Sequence, residues 1–198
     1  MIGIVDYGVG NLSSIENALN TLKYENKIVD SVEEILKCDG LILPGVGAYR
    51  DAIKSLKESG LLKSVLDFAN SKKPILGICL GLQLLYEKSY EDGEYEGLGL
   101  LKGEVVKFND DLKVPHMGWN DLIIRRDDEI IKYIEEGEYV YFVHSYYINS
   151  MDDVISYSEY GVNVPAVVGK ENIYGMQFHP EKSGTTGMKI LKAFGELI

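Results

Sequence analysis

The sequence predicts an α/β fold, a doubly wound, mostly parallel sheet with helices on both faces and antiparallel additions in its second half. Two patterns carry this reading. Through residue 86, short and continuously apolar runs alternate with amphipathic stretches, the pattern of parallel strands buried on both faces. From residue 104 onward, strand-like runs follow one another through short connections, which suit antiparallel neighbours. With 45% hydrophobic and 26% charged residues, the 198-residue chain can build a packed core, and it is read as one domain over 1–198.

Residues 2–5 make the first buried strand. Ser13-Ser14-Ile15-Glu16 resembles a capping box, opening a helix that carries Ile15, Ala18, Leu19 and Leu22 on one face. Residues 27–29 make the second strand, Ser31-Val32-Glu33-Glu34 repeats the capping pattern, and 41–43 make a third strand ending at Pro44-Gly45. Helical segments cover 48–70. Residues 74–78 form a fourth strand that runs through Cys79 into a helix over 80–86. The acidic stretch 88–97 reads most simply as a solvated loop, with a place at the rim of an active site as the lesser alternative. Strands are then predicted at 104–108, 121–124, 139–147, 154–160, 166–169 and 173–178, with a helix at 128–135 and a closing amphipathic helix at 188–197.

A net charge of −11 repels a phosphate backbone, and no Lys/Arg cluster offsets it, so no nucleic acid partner is expected. No apolar run approaches the ~20 residues of a membrane span, and no signal peptide is evident at the start. Cys38 and Cys79 form no Cys-x-x-Cys pair and have no His at metal-ligand spacing. A reducing cytoplasm without membrane, metal or cofactor is the expected setting.

The sharpest local signal is Gly77-Ile78-Cys79-Leu80-Gly81, between a predicted strand and a predicted helix. Flanking glycines permit the strained turn of a nucleophile elbow, which presents a side chain at the sheet's C-terminal edge. A thiol there, at a helix N-terminus and near an imidazolium, is favoured as the anion. Cys38 lacks such a context and reads as a small buried hydrophobe. The base is chosen among His116, His144 and His179. His179 ends a strand in Gln177-Phe178-His179-Pro180-Glu181, and Pro180 biases it toward extended backbone. Residues two apart in an extended segment face one side, so Glu181 can orient the imidazole. His144 is the rival base but lacks a nearby carboxylate, and His116 reads as structural. For the developing oxyanion, the Leu80 amide is one donor and the loop carrying Val46 and Gly47 offers a second.

Pro44-Gly45-Val46-Gly47, Gly77 to Gln83, and Gln177 to Glu181 resemble, in that order, the three defining motifs of class I, triad-type glutamine amidotransferases. The resemblance spans nearly the whole chain. It implies that Cys79 attacks the side-chain amide of L-glutamine, that His179 delivers the proton to ammonia, and that water cleaves the thioester. It assigns Gly47 and Gln83 to glutamine binding, with the backbone around Ser145 and Tyr146 holding the amino acid portion. Residues 6–14 and Pro115-His116-Met117-Gly118-Trp119-Asn120 further resemble the glutaminase subunits of imidazole glycerol phosphate synthases. There the partner is a separate (β/α)₈-barrel cyclase subunit, in a heterodimer of histidine biosynthesis. Nothing in this chain resembles that barrel, so the acceptor site is expected on another protein. Asn11 and Lys182 face the partner by resemblance, and Trp119 reads either as a core anchor or as an interface cap. The alternatives are a class I glutaminase serving a different synthase and a free-standing thiol hydrolase of similar fold.

Overall fold

The computed structural model describes residues 1–198. The first half runs β1 (Ile2–Val5), α1 (Leu12–Thr21), β2 (Asn26–Val29), α2 (Val32–Lys37), β3 (Gly40–Leu43), α3 (Tyr49–Glu58), α4 (Leu62–Asn70), β4 (Ile75–Ile78) and α5 (Leu80–Leu84). The second half continues with β5 (Lys88–Ser89), β6 (Tyr95–Glu96), β7 (Glu104–Lys107), β8 (His116–Asp121), β9 (Ile123–Ile124), β10 (Tyr139–His144), β11 (Tyr146–Ile148), β12 (Val154–Glu159), β13 (Asn163–Lys170), β14 (Ile173–Met176) and α6 (Gly184–Gly195).

The main sheet has the order β2-β1-β3-β4-β14-β13-β12-β9. Its first five strands are parallel and the remaining pairings antiparallel, as the sequence predicts. Alternation along the strands divides the core between two faces. Ile4, Ile42, Leu76, Ile78 and Met176 meet α1 and α6 through Ile15, Leu19, Ile190 and Phe194. Val5, Leu41, Leu43 and Ile75 meet α2 to α4 through Ile35, Ile53, Leu56, Val65 and Phe68. At the sheet's C-terminal edge stand a two-stranded β8–β10 ribbon and a four-stranded sheet ordered β11-β7-β5-β6.

Several predicted elements shift. Helix α1 starts earlier, with Asn11 rather than Ser13 as its N-cap and no capping side chain. Ser31 does precede α2 but makes no capping bond. Glu34 instead pairs with Lys27 and accepts the Asp30 amide at 3.4 Å. The 88–97 stretch is no plain loop, since β5 and β6 pair antiparallel within it. The expected helix at 128–135 is a 3₁₀ turn, Glu129–Ile131, held by the Asp128 carboxylate accepting the Ile130 amide. The run 139–147 breaks at Ser145 into β10 and β11, which join different sheets. The strand predicted over 173–178 ends at Met176, and the closing helix opens at Gly184.

Candidate active site

Strands β4 and β14 are parallel neighbours in register, Gly77 opposite Gly175 and Ile78 opposite Met176. The two chains leave the sheet side by side, so residues that follow Ile78 meet residues that follow Met176. The Cys79 amide donates to the Met176 carbonyl at 2.8 Å. This adjacency brings residues 79 and 177–181 together across nearly a hundred positions, at the edge where open α/β sheets bind ligands.

Cys79 sits at φ +54°, ψ −110°, an uncommon conformation for a residue with a side chain, between β4 and α5. Such strain persists only where the surroundings enforce it, and here they do. A Cβ on Gly81 would stand 1.9 Å from the Leu43 carbonyl oxygen, and one on Gly77 2.7 Å from Gly81 backbone. Both positions need glycine for α5 to fold back onto β3 and β4, which is the elbow the motif predicts. Cys79 is 7% exposed and lines a cleft of about 440 Å³. Around it stand Val46, Gly47, Leu80, Gln83, His179 and Lys182, with Ser145 and Tyr146 opposite. That volume lies within the ~300–1,000 Å³ of small-ligand sites.

The His179 ring is buried, and its Nδ1 lies 3.0 Å from Glu181 Oε1. The expected geometry is corrected in one respect. His179 is extended, but Glu181 reaches the ring because Pro180–Lys182 form a 3₁₀ turn, not because the strand continues. The turn is anchored by Ser183, whose hydroxyl donates to the His179 carbonyl at 2.6 Å and accepts the Tyr141 amide at 2.9 Å. With Nδ1 committed to the carboxylate, Nε2 is left free toward the cleft that His179 shares with Cys79. Burial opposes charging this imidazole. Its interactions with Cys79 and Glu181 outweigh that and push the ring's pKa up to about 9.

The rival base behaves otherwise. His144 is buried and its Nδ1 lies 2.8 Å from the Tyr146 carbonyl, while its Nε2 lies 3.0 Å from His116 Nδ1. Burial pushes the pKa of His144 down to about 3 and of His116 to about 4, so both stay neutral. His116 also stacks between Phe142 and Tyr160.

The loop bearing Val46 and Gly47 lies against the elbow, where a Cβ on Gly45 would stand 2.7 Å from the Gly81 amide nitrogen. Tyr7 holds that loop through a 2.6 Å bond from its hydroxyl to the Pro44 carbonyl. Trp119 is 56% exposed, which excludes the core-anchor reading, and it lies over Gly184 beside the 180–182 turn. Helix α1, with Asn11 at its N-cap position, packs on the same turn, which carries the exposed Lys182. Of the three residues predicted to face a partner, Lys182 lines the cleft and Trp119 lies beside the turn that carries it. Cys38 is fully buried, its thiol donating to the Glu34 carbonyl.

Sequence reasoning put the stretch holding Glu91 at the site's rim only as the lesser alternative, did not single out Glu91, and gave Gln177 no role. Glu91, in the stretch read as solvated, lines the cleft and accepts the Tyr49 amide at 2.8 Å. Nothing in its acidic surroundings distinguishes it. Gln177 is fully buried against Cys79. The one sign available was an amide standing between Met176 and Phe178 in an otherwise apolar run.

Residues 3–196 match the glutamine amidotransferase class-I family. A relative from Caldanaerobacter subterraneus subsp. tengcongensis, named imidazole glycerol phosphate synthase subunit HisH, is 52% identical over 200 residues, spanning 100% of this chain and 98% of the relative. A relative of the same name from Geobacillus sp. is 53% identical over 206 residues, spanning 100% and 97%. The chain belongs to the HisH family of class-I glutamine amidotransferases. The amidotransferase fold is shared with the structure of PurLQS from Thermotoga maritima at a TM-score of 0.74, with 24% identity over 98% of this chain and 96% of that one. For a glutamine amidotransferase, a thiol, an imidazole and a carboxylate at one sheet edge are the groups that amide hydrolysis requires.

Proposed function

We propose that this chain hydrolyses the side-chain amide of L-glutamine to glutamate and ammonia at Cys79. The ammonia passes to a separate cyclase subunit of imidazole glycerol phosphate synthase, in histidine biosynthesis. The convergence of Cys79, His179 and Glu181 in one cleft carries the chemical half of this reading. The HisH relatives and the exposed Trp119 beside the cleft support the partner half.

The sulfur, as thiolate, attacks the amide carbon while imidazolium His179 stands by, and the carbonyl oxygen becomes an oxyanion. Backbone amides of Leu80, with Val46 or Gly47, serve that oxygen, each worth about 2.7–4 kcal/mol in the transition state. Collapse breaks the C–N bond, and His179 gives its proton to the departing nitrogen, leaving ammonia, a thioester and a neutral ring. Water then adds to the thioester as His179 takes its proton. The C–S bond breaks, the thiolate and imidazolium return, and the new carboxyl loses its proton to solvent. Glu181 holds the ring and stabilises its charge throughout. Gly47, Gln83, Ser145 and Tyr146 bind the substrate, and Asn11, Trp119 and Lys182 meet the cyclase.

The test is Cys79→Ala in a complex with a purified barrel cyclase. Glutamine-dependent synthesis should vanish while added ammonium salts still support it. Retained glutamine-dependent synthesis would exclude catalysis at Cys79, and failure to bind or serve the cyclase would exclude the partner.

A further inference from the structure

Behind the nucleophile lie two buried amide side chains, Gln83 and Gln177, and the reaction above gives Gln177 no task. Gln83 Nε2 donates to the Tyr146 carbonyl at 3.1 Å and to Gln177 Oε1 at 3.0 Å. Gln177 Nε2 in turn lies 3.7 Å from Cys79 Sγ. The direction of this chain is dictated from its far end. A backbone carbonyl only accepts, so Gln83 must turn its NH₂ toward Tyr146. The second hydrogen of that NH₂ requires an oxygen from Gln177, and what Gln177 then presents to sulfur is its own NH₂. The Tyr146 carbonyl is held from its other side as well, by His144 Nδ1–H, and His144 Nε2 takes its hydrogen from His116 Nδ1.

We propose that Gln177 is a positioning residue for the nucleophile, an N–H donor aimed at Cys79 Sγ and kept in that sense by Gln83 and the Tyr146 carbonyl. It stabilises the thiolate and holds the sulfur in one rotamer for attack. The arrangement also ties the nucleophile to the 145–146 backbone, the proposed clamp for the amino acid portion of the substrate. The inference rests on Cys79 being the reactive thiol.

The test follows carbamidomethylation of Cys79 by iodoacetamide in the full chain, read by mass spectrometry of its peptide from pH 4 to 10. The titratable groups facing the sulfur are His179 and Tyr7, with His144, Glu91 and Lys182 around the same cleft. All stay in place in the variants. Gln177→Met keeps the volume and removes the donor. The lower midpoint of the coupled Cys79–His179 pair should rise by about one pH unit, a roughly tenfold loss of thiolate at a given pH. Gln177→Glu should raise it further, because a carboxylate repels the thiolate. Gln83→Met leaves Gln177 in place without its orienting partner and should give a smaller rise. An unchanged midpoint in folded Gln177→Met overturns the proposal. Should that variant fail to fold by urea titration, an unchanged midpoint in Gln83→Met overturns it instead. The readout needs no glutamine, so a wild-type complex with the cyclase that hydrolyses none while these midpoints move would defeat the glutaminase reading alone.

Discussion

Replacing Glu181 by Gln isolates what the carboxylate does for His179. The ring's pKa is raised from 6.5 to about 9 against the effect of burial, by the charge of Cys79 nearby and the bond to Glu181. Side-chain exposures of 4% and 2% leave little solvent to screen the pair. At ~1.4 kcal/mol per pH unit, that rise is about 3 kcal/mol of preference for the charged ring. Glu181→Gln keeps the shape and deletes the charge. A hydrogen bond to a charged group contributes about 1.5–3 kcal/mol, so His179 should titrate about one to two pH units lower in the variant. Because the folded pKa lies above the unfolded one, the imidazolium's contribution to stability is complete below about pH 6.5 and lost as pH rises through about 9. Proton–carbon NMR of the His Cε1–H groups reads this directly. Burial pushes His116 down to about 4 and His144 to about 3, so the His179 signal titrates well apart from the other two. The alkaline limb of kcat/KM for glutamine should move down with the His179 midpoint. A wild-type ring titrating near 6.5, or a midpoint that Glu181→Gln leaves in place, would refute the reasoning.

Three further expectations follow from packing and burial. Gly187→Ala puts a Cβ 1.9 Å from the Pro180 carbonyl oxygen, so the turn carrying His179 and Glu181 must move. A loss of about 10²-fold in kcat is expected from steady-state glutamine kinetics, and a rate within twofold of wild type would contradict it. Phe194→Ala empties a fully buried site between α6 and the sheet and should cost about 3–5 kcal/mol in urea unfolding without altering kcat. Because the pKa values of His116 and His144 are depressed, the stability from keeping them neutral is present above about pH 6.5 and lost on acidification. Each should remove about 1.4 kcal/mol per pH unit down toward 4, and unfolding midpoints that stay flat between pH 6.5 and 5 would speak against two buried neutral rings.

The parallel half was legible because a strand covered on both faces must be apolar throughout. Ile2 to Val5, Leu41 to Leu43 and Ile75 to Ile78 stand out from any neighbour that touches water. The second half resisted because its strands serve three sheets. Residues 139–148 are apolar enough for one strand, yet the chain changes sheets at Ser145, a choice made by β7 and β8 rather than locally. The helical spacing of Ile130, Ile131 and Ile134 is real and all three are buried. The Asp128 cap and the Glu138 carboxylate accepting the Glu135 amide close this stretch as turns before a helix can propagate. Of the site, Cys79, His179 and Glu181 were readable as chemistry at motif spacing. Gln177 and Glu91 were not, because their roles come from what lies opposite them.

The deeper dependence of the site is on sheet order. Residues 79 and 179 meet only because the chain, after building β5 to β13, inserts β14 directly beside β4 in parallel. Register then matters as much as adjacency. A slip of one residue between these strands would turn Met176 out of the α1–α6 core and swing the Gln177 amide into it, at once exposing apolar area and burying an amide away from Gln83 and Cys79. Leu82 resists that slip, since Gly175 leaves room for it where a Cβ would stand 2.2 Å from Leu82 Cδ1. The packing that fixes the strand pair therefore also sets the distance between sulfur and imidazole. Substitutions enlarging residue 175 should impair glutamine hydrolysis and stability together, with neither recovered alone.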